Sequence, residues 1–284
     1  MIHAVIKMIE GNLSQLYNPE EIKSFTALLF EHLLGLSRLK VHLQKHEQIP
    51  DAKLIEFKEI VDRLKNFEPI QYILGETEFY ELRFKVCPAV LIPRPETEEL
   101  VDWILKDHPD GRYNVLDIGT GSGCIPIALA KNRPNFMVEG WDISEEALKI
   151  ARGNAELNEV KVNFAIVDLL KWREIPTTKM YDLILSNPPY VTRSEQSTML
   201  PNVTDYEPHL ALFVPDNDPL IFYREIADFA SSHLNPGGCL YFEINEKSGD
   251  ELVSLLNIKK FGNIQMRKDI NGRDRMIRCV IGNR

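Results

Sequence analysis

From residue 115 to residue 123 an apolar run, Val-Leu-Asp-Ile, passes straight into the turn Gly-Thr-Gly-Ser-Gly. No other stretch of the 284 residues restricts the fold as tightly. Glycines spaced this closely let the backbone take positive φ and approach a ligand without Cβ clashes. A strand that enters such a turn and then opens a helix is the first unit of a ligand-binding α/β sheet. The rest of the chain from residue 114 agrees with it. Strand patterns are expected at 114–119, 137–143, 162–168, 181–187 and 239–244, with helical patterns between them. One helix should start at Ser144 as N-cap, with Glu145 and Glu146 in its first turn and Ala147, Ile150, Ala151 and Leu157 on its inner face. Repeated strand–helix units imply a parallel sheet covered on both sides. The end differs, because the strand-like runs 264–270 and 275–281 flank Asn271-Gly272, a strong hairpin signal.

The glycine spacing narrows the ligand. A dinucleotide fingerprint needs a third glycine at position 124, where Cys124 stands. Glycine sits at 123 instead, and the resulting D-x-G-x-G-x-G pattern resembles the S-adenosylmethionine loop. A parallel sheet finished by an antiparallel hairpin is also the outline of the class I methyltransferase fold, a Rossmann-like α/β architecture. Asp117, Gly119, Thr120, Gly121, Ser122 and Gly123 are therefore candidate cofactor residues. Asp142 ends the next strand, where its carboxylate can accept hydrogen bonds from the two ribose hydroxyls, each contributing roughly 1.5–3 kcal/mol. Asp168 ends the third strand, where the adenine is expected, and its carboxylate or the Leu169 backbone can meet the base edge. All three groups fall at the carboxyl ends of strands, where open α/β sheets bind ligands.

The fourth strand ends in Asn187-Pro188-Pro189-Tyr190. Methyl transfer from a sulfonium is an in-line displacement, so the acceptor nitrogen must present its lone pair to the methyl carbon. In an amide or an aromatic amine that lone pair is delocalised. The Asn187 side-chain oxygen and the Pro188 carbonyl can hold both N–H bonds, orient the nitrogen and stabilise the charge that develops on it. The two prolines lock φ and keep the carbonyl aimed. Tyr190 can stack on a planar acceptor group. Asn187, Pro188 and Tyr190 are the candidate catalytic residues, with Pro189 on the substrate side. This chemistry needs no nucleophilic serine, catalytic histidine or metal.

The first part of the chain has another character. Ile22, Phe25, Leu29, Leu33 and Leu36 share one helical face, as do Leu54, Phe57, Val61 and Leu64. Pro50 separates the two stretches, with Asp51 a plausible N-cap for the second. A small helical domain over 1–75 is expected, its faces serving as core. From about residue 77, Tyr80, Leu82, Phe84 and Val86 alternate with Glu81, Arg83 and Lys85 as in a half-buried strand. A hairpin and linker over 76–95 then lead to a catalytic domain over 96–284. The four cysteines, Cys87, Cys124, Cys239 and Cys279, are scattered without metal-like spacing, as in a reduced cytoplasmic protein. No apolar run approaches the roughly 20 residues that span a bilayer, and no signal peptide is visible.

These residues resemble the HemK/PrmC family, the peptide chain release factor glutamine N5-methyltransferases. The resemblance covers most of the chain. It is carried by Gln71-Tyr72-Ile73-Leu74-Gly75, by Leu91-Ile92-Pro93-Arg94-Pro95-Glu96-Thr97-Glu98, by the glycine loop, by Ser186-Asn187-Pro188-Pro189-Tyr190 and by Tyr206-Glu207-Pro208. It implies methylation of the glutamine in the Gly-Gly-Gln tip of class I release factors, with S-adenosyl-L-methionine as donor and S-adenosyl-L-homocysteine as product. It further implies that Asn187 touches both cofactor and substrate amide, and that Pro188, Pro189, Tyr190 and Arg94 lie on the substrate side. One position departs from the family: Leu169 stands where many relatives carry a bulky aromatic, and Trp172 follows three residues later, so either side chain can cover the adenine. The tetrapeptide at 187–190 is shared with adenine-N6 DNA methyltransferases. A net charge of −9 argues against a nucleic-acid partner, whose binding draws on phosphate neutralisation. A non-catalytic scaffold that kept the fold is the remaining reading, and the intact Asn187, Tyr190 and glycine loop argue against it.

Overall fold

The computed structural model describes residues 1–109 and 111–282. Asp110, Asn283 and Arg284 belong to the expected catalytic domain but lie outside the described residues. The chain divides into two compact units, Met1–Gly75 with Pro201–Tyr206, and Glu76–Leu200 with Glu207–Arg284.

The first unit contains five helices before residue 76: α1 (Ile2–Leu13), α2 (Pro19–Leu34), α3 (Arg38–Leu43), α4 (Asp51–Lys65) and α5 (Ile70–Leu74). Ile2, Val5, Ile9 and Leu13 of α1 pack with Ile22, Leu29 and Phe30 of α2 and with Phe57, Val61 and Leu64 of α4. Asn18 caps α2 through the Glu20 and Glu21 amides, and Glu21 bonds back to the Asn18 backbone. Leu36 lies beyond the helix that its spacing had joined it to, because Gly35 ends α2 in the left-handed conformation. Asp51 is likewise not a cap. Pro50 takes that position without a side-chain bond, and Asp51 is the first helical residue, where its charge suits the helix dipole.

The second unit opens with β1 (Glu76–Phe79) and β2 (Leu82–Lys85), an antiparallel pair. The single alternating strand expected through Tyr80 and Glu81 is thus broken there. Both residues take positive φ, 50° and 61°, the geometry of a tight hairpin turn without glycine. A two-residue turn shifts side-chain parity, with Phe79 opposite Leu82 and Thr77 opposite Phe84, so the even-numbered apolar run from Leu82 describes the second strand alone. The Tyr80 amide is taken up by a Glu98 carboxylate oxygen at 2.8 Å.

Then come α6 (Pro95–Asp107), β3 (Asn114–Ile118), α7 (Cys124–Asn132), β4 (Met137–Asp142), α8 (Glu145–Leu157), β5 (Asn163–Ile166), a 3₁₀ turn at Leu169–Glu174 and β6 (Tyr181–Ser186). A short parallel pair, β7 (Val191–Thr192) and β8 (Phe213–Val214), brackets a 3₁₀ turn at Arg193–Thr198, α9 (Pro201–Thr204) and α10 (His209–Leu212). The unit ends with α11 (Ile221–His233), β9 (Leu234–Glu243), α12 (Gly249–Ile258), β10 (Phe261–Lys268) and β11 (Asp274–Ile281). Seven strands form one sheet in the order β10-β11-β9-β6-β3-β4-β5. The five from β5 to β9 run parallel, and β11 and β10 pair antiparallel at the far edge. Chain order reverses at β3, so the crevice at the carboxyl ends of β3 and its neighbours is the place for a ligand.

Alternate residues of these strands feed two cores. Val115, Leu183 and Leu185 pack with α6 and α7, whereas Leu116, Ile118, Ile184, Leu240 and Phe242 pack with α11 and α12. The final turn is longer than Asn271-Gly272 alone. Only Gly272 of the pair has positive φ, and the Asp269 carboxylate accepts from the Asn271 and Arg273 amides, closing a wider loop.

Candidate active site

Three glycines hold the turn after β3 in a shape other residues resist. Gly119, Gly121 and Gly123 have φ of 76°, 53° and 79°. The amides of Gly119 and Thr120 both donate to the Trp141 carbonyl, which ties the turn to β4. At Gly123 space is also short, since a Cβ would lie 3.0 Å from Ile127, 3.1 Å from Ala151 and 3.3 Å from Phe164. Two further residues support the turn and were not singled out by motif. Gly140 in β4 leaves room for the Thr120 hydroxyl, which a Cβ would meet at 2.8 Å. Its signal is visible, a glycine within a strand. Buried Asn154 of α8 donates to the Ser122 and Lys85 carbonyls and accepts from the Lys85 amide, so it joins the turn to β2.

The turn forms one wall of a cavity of about 360 Å³, within the roughly 300–1,000 Å³ usual for small-molecule sites. Gly119, Thr120, Gly121, Ser122, Asp142, Asp168, Leu169, Asn187, Pro188, Pro189 and Arg94 all line it. The Asp142 carboxylate is fixed by the Gly121 amide at 2.8 Å and the Ser144 amide at 2.9 Å, one to each oxygen. Lone pairs remain on both oxygens for further donors. Burial raises its carboxyl above the ordinary range, and those amides oppose the rise. Asp168 caps the following 3₁₀ turn through the Leu170 amide.

Four expected residues sit elsewhere. Gly123 lies behind the turn as the N-cap of α7. Trp172 points away from the cavity: its indole donates to Glu225 at 3.0 Å and its ring meets Phe229 and His233 edge-on. Leu169, the other candidate for the adenine wall, does line the cavity. Tyr190 does not reach the wall as the stacking surface expected of it, because its hydroxyl is drawn to a Glu243 carboxylate oxygen at 3.4 Å. Asp117 is wholly buried beside the turn, where the Thr120 hydroxyl favours its charged form but no amide or cation is paired with its oxygens among the described residues. Burial pushes its carboxyl up to about 7. An unsatisfied acid here fits a cationic group seated by the glycine turn.

At the other end, Ser186 donates to the Ile118 carbonyl and locks β6 to β3 just before Asn187. The Asn187 amide nitrogen lies 3.3 Å from the Thr97 hydroxyl, which in turn donates to Glu243 at 2.6 Å. Thr97 and Glu243 are 2% and 1% exposed. Glu243 was not anticipated, although an acid inside the apolar run Cys-Leu-Tyr-Phe-Glu-Ile is a readable sign of a buried polar role. Arg94 is held by Glu207, one guanidinium nitrogen lying 2.6 and 2.7 Å from the two carboxylate oxygens.

A parallel sheet that reverses at β3, an antiparallel last pair and a glycine turn beside a strand-end carboxylate define a class I methyltransferase. A methyltransferase from Pyrococcus furiosus shares this fold, with a TM-score of 0.52 at 20% identity over 71% of this chain and 90% of that one. Residues 5–75 match the family model described as PrmC N-terminal domain, and residues 97–203 match the methyltransferase small domain. The release factor glutamine methyltransferase of Bacteroides thetaiotaomicron is 47% identical over 276 residues, covering 97% of this chain and 99% of that relative. The protein of the same name from Flavobacterium psychrophilum is 45% identical over 270 residues, 94% of each. The chain belongs to the release factor glutamine methyltransferase family.

Proposed function

We propose that this chain methylates the side-chain amide nitrogen of the glutamine in the Gly-Gly-Gln motif of class I release factors. The observation that carries the reading is Asn187, which lines the cavity with its amide nitrogen already committed to Thr97. That arrangement leaves the side-chain oxygen to accept from a substrate amide. Asp117, Gly119, Thr120, Gly121, Ser122, Asp142, Asp168 and Leu169 would hold S-adenosyl-L-methionine, which supplies an electrophilic methyl group on a sulfonium. Asn187 and the Pro188 carbonyl accept the two N–H bonds of the glutamine amide and fix its nitrogen in line. The same oxygens stabilise the positive charge that builds on nitrogen. Apolar side chains such as Ile118, Ile125 and Leu169 make up part of the wall around the bound cofactor.

Residues 96–284 form the catalytic part of this scheme and 76–95 the lead-in to it. Residues 1–75 supply a further recognition surface, since a Gly-Gly-Gln loop is too small to select one protein. Leu39 and Leu43, one turn apart on α3 and 68% and 71% exposed, are candidates for that surface. Protein synthesis provides the substrate, which assigns the reaction to the cytoplasm.

The test is incubation with methyl-labelled cofactor and a release factor, followed by peptide mass spectrometry. Label on the Gly-Gly-Gln glutamine is expected, with none on a Gly-Gly-Glu variant of the factor. Label on adenine in DNA and not on the factor would transfer the assignment to the nucleic-acid class.

A further inference from the structure

An asparagine side chain has two ends of nearly equal size, and only one of them accepts hydrogen bonds. For Asn187 to read a substrate amide, its oxygen must face the cavity and its nitrogen must face away. A hydrogen-bond chain fixes that choice. The Thr97 hydroxyl carries a single proton, and 2.6 Å away lies Glu243 Oε2, an oxygen that accepts. Having given its proton there, Thr97 can only accept, and Asn187 Nδ2 stands 3.3 Å from it. A flipped Asn187 would set its oxygen against a hydroxyl with no proton to offer. The second Glu243 oxygen receives the Tyr190 hydroxyl, so both oxygens face hydroxyl donors. Neither Thr97 nor Glu243 is open to water that could interpose.

We propose that Thr97 and Glu243 are positioning residues for the methyl transfer, a one-way relay that aims the Asn187 oxygen at the substrate amide. The inference rests on the reading above, in which Asn187 accepts from that amide. The three residues come from the first turn of α6, the end of β9 and the loop after β6, so no short motif contains them. A merely structural tie between α6 and β9 would explain the Thr97–Glu243 bond. It would not explain why the hydroxyl is also placed on Asn187.

The two roles separate in kinetics. Thr97→Val keeps the shape and removes the hydroxyl. Its kcat on whole release factor should fall roughly tenfold, the effect of one orienting hydrogen bond, while KM and cofactor affinity stay within about twofold. Thr97→Ser should restore turnover. In an Asn187→Ala background, Thr97→Val should cost nothing more, because the group it aims is gone. Thr97→Ala carries the same comparison if the valine variant fails to fold. The relay is overturned if Thr97→Val keeps full kcat, if serine fails to rescue, or if the loss multiplies in full on Asn187→Ala. A wild-type protein that leaves release factor unmethylated overturns the function itself and this inference with it, a result none of the variant comparisons can mimic.

Discussion

The glycine turn and the corner around Asn187 line one cavity, yet the turn is made of backbone and the corner of side chains. At the turn, φ values of 53–79° at Gly119, Gly121 and Gly123 and amide bonds to Trp141 and Asp142 create the shape. At the corner, Thr97, Asn187 and Glu243 meet from positions 90 and 146 residues apart. A shape set by positive φ resists any residue other than glycine at those three positions, whatever the side chain. A side-chain relay tolerates the loss of any one member poorly, because its groups act as a unit. Substitution should therefore damage the two ends in different currencies, binding and stability at the turn, turnover at the corner.

The largest effect is expected at Asn187. Asn187→Ala removes the oxygen that orients the substrate amide and should lower turnover by roughly 10²–10³, about 3–4 kcal/mol. Asn187→Asp keeps an acceptor but adds charge beside the sulfonium, so turnover should fall while cofactor affinity holds or rises. Rates from labelled-methyl incorporation and affinity from calorimetry read the two separately. Near-native turnover for the alanine variant would make the corner structural and erase the contrast between the two ends.

Asp117 tests the turn from beneath. Folded, its carboxyl holds a proton to about pH 7, while the unfolded chain releases it near the ordinary value of 3.8. The unfolded state thus binds fewer protons across that window, and stability falls as pH rises from about 4 to 7, then stays level. Asp117→Asn removes this dependence. Its stability advantage over wild type, in cofactor-free protein, should grow across the window to a final change on the order of 4 kcal/mol. Cofactor affinity should drop in the same variant, the usual opposition between a strained site and its ligand. Melting temperatures against pH decide it. A constant offset would mean that Asp117 is charged throughout and has a partner.

Legibility follows the same division. The turn is contiguous, so D-x-G-x-G-x-G announced both the strand and the cradle, and Asp142 followed from strand spacing. Asn187 was readable because its neighbours are prolines in a tetrapeptide. Glu243 and Asn154 were not, because each acts on residues far away in sequence and one chain carries no record of such meetings. Trp172 misled because proximity in sequence to Asp168 says nothing of direction. Within the 3₁₀ turn its indole faces α11, where Glu225 accepts its hydrogen bond. The break at Tyr80-Glu81 escaped because Tyr80, a turn residue, falls in phase with Leu82, Phe84 and Val86, while the buried residue of the first strand is Phe79.

Gly123 and Gly121 sharpen the claim that the turn is a backbone device. Both have positive φ, but only Gly123 faces atoms within 3.0–3.3 Å of an added Cβ. Gly123→Ala should combine left-handed strain with overpacking and cost about 2–4 kcal/mol of stability. At Gly121 a Cβ meets nothing within 4 Å, so alanine should cost only the strain, about 1–2 kcal/mol. Equal losses in denaturant titrations would show that crowding behind the turn has no part in specifying glycine.

The smallest effect is expected from Asp142, where the two ends come closest in kind, since a side chain there serves a backbone turn. Its oxygens take the Gly121 and Ser144 amides, so the carboxylate shapes the loop before any ligand arrives. Asp142→Ala should strip the ribose contact and weaken S-adenosyl-L-methionine binding by about tenfold, near 1.5 kcal/mol. The turn itself should survive, because the Gly119 and Thr120 amides remain on the Trp141 carbonyl. Once cofactor is saturating, turnover should return close to wild type, whereas Asn187→Ala stays slow at any concentration. Calorimetry with a titration of rate against cofactor makes that comparison. If Asp142→Ala binds cofactor as tightly as wild type, its carboxylate is part of the loop alone and must be removed from the binding set.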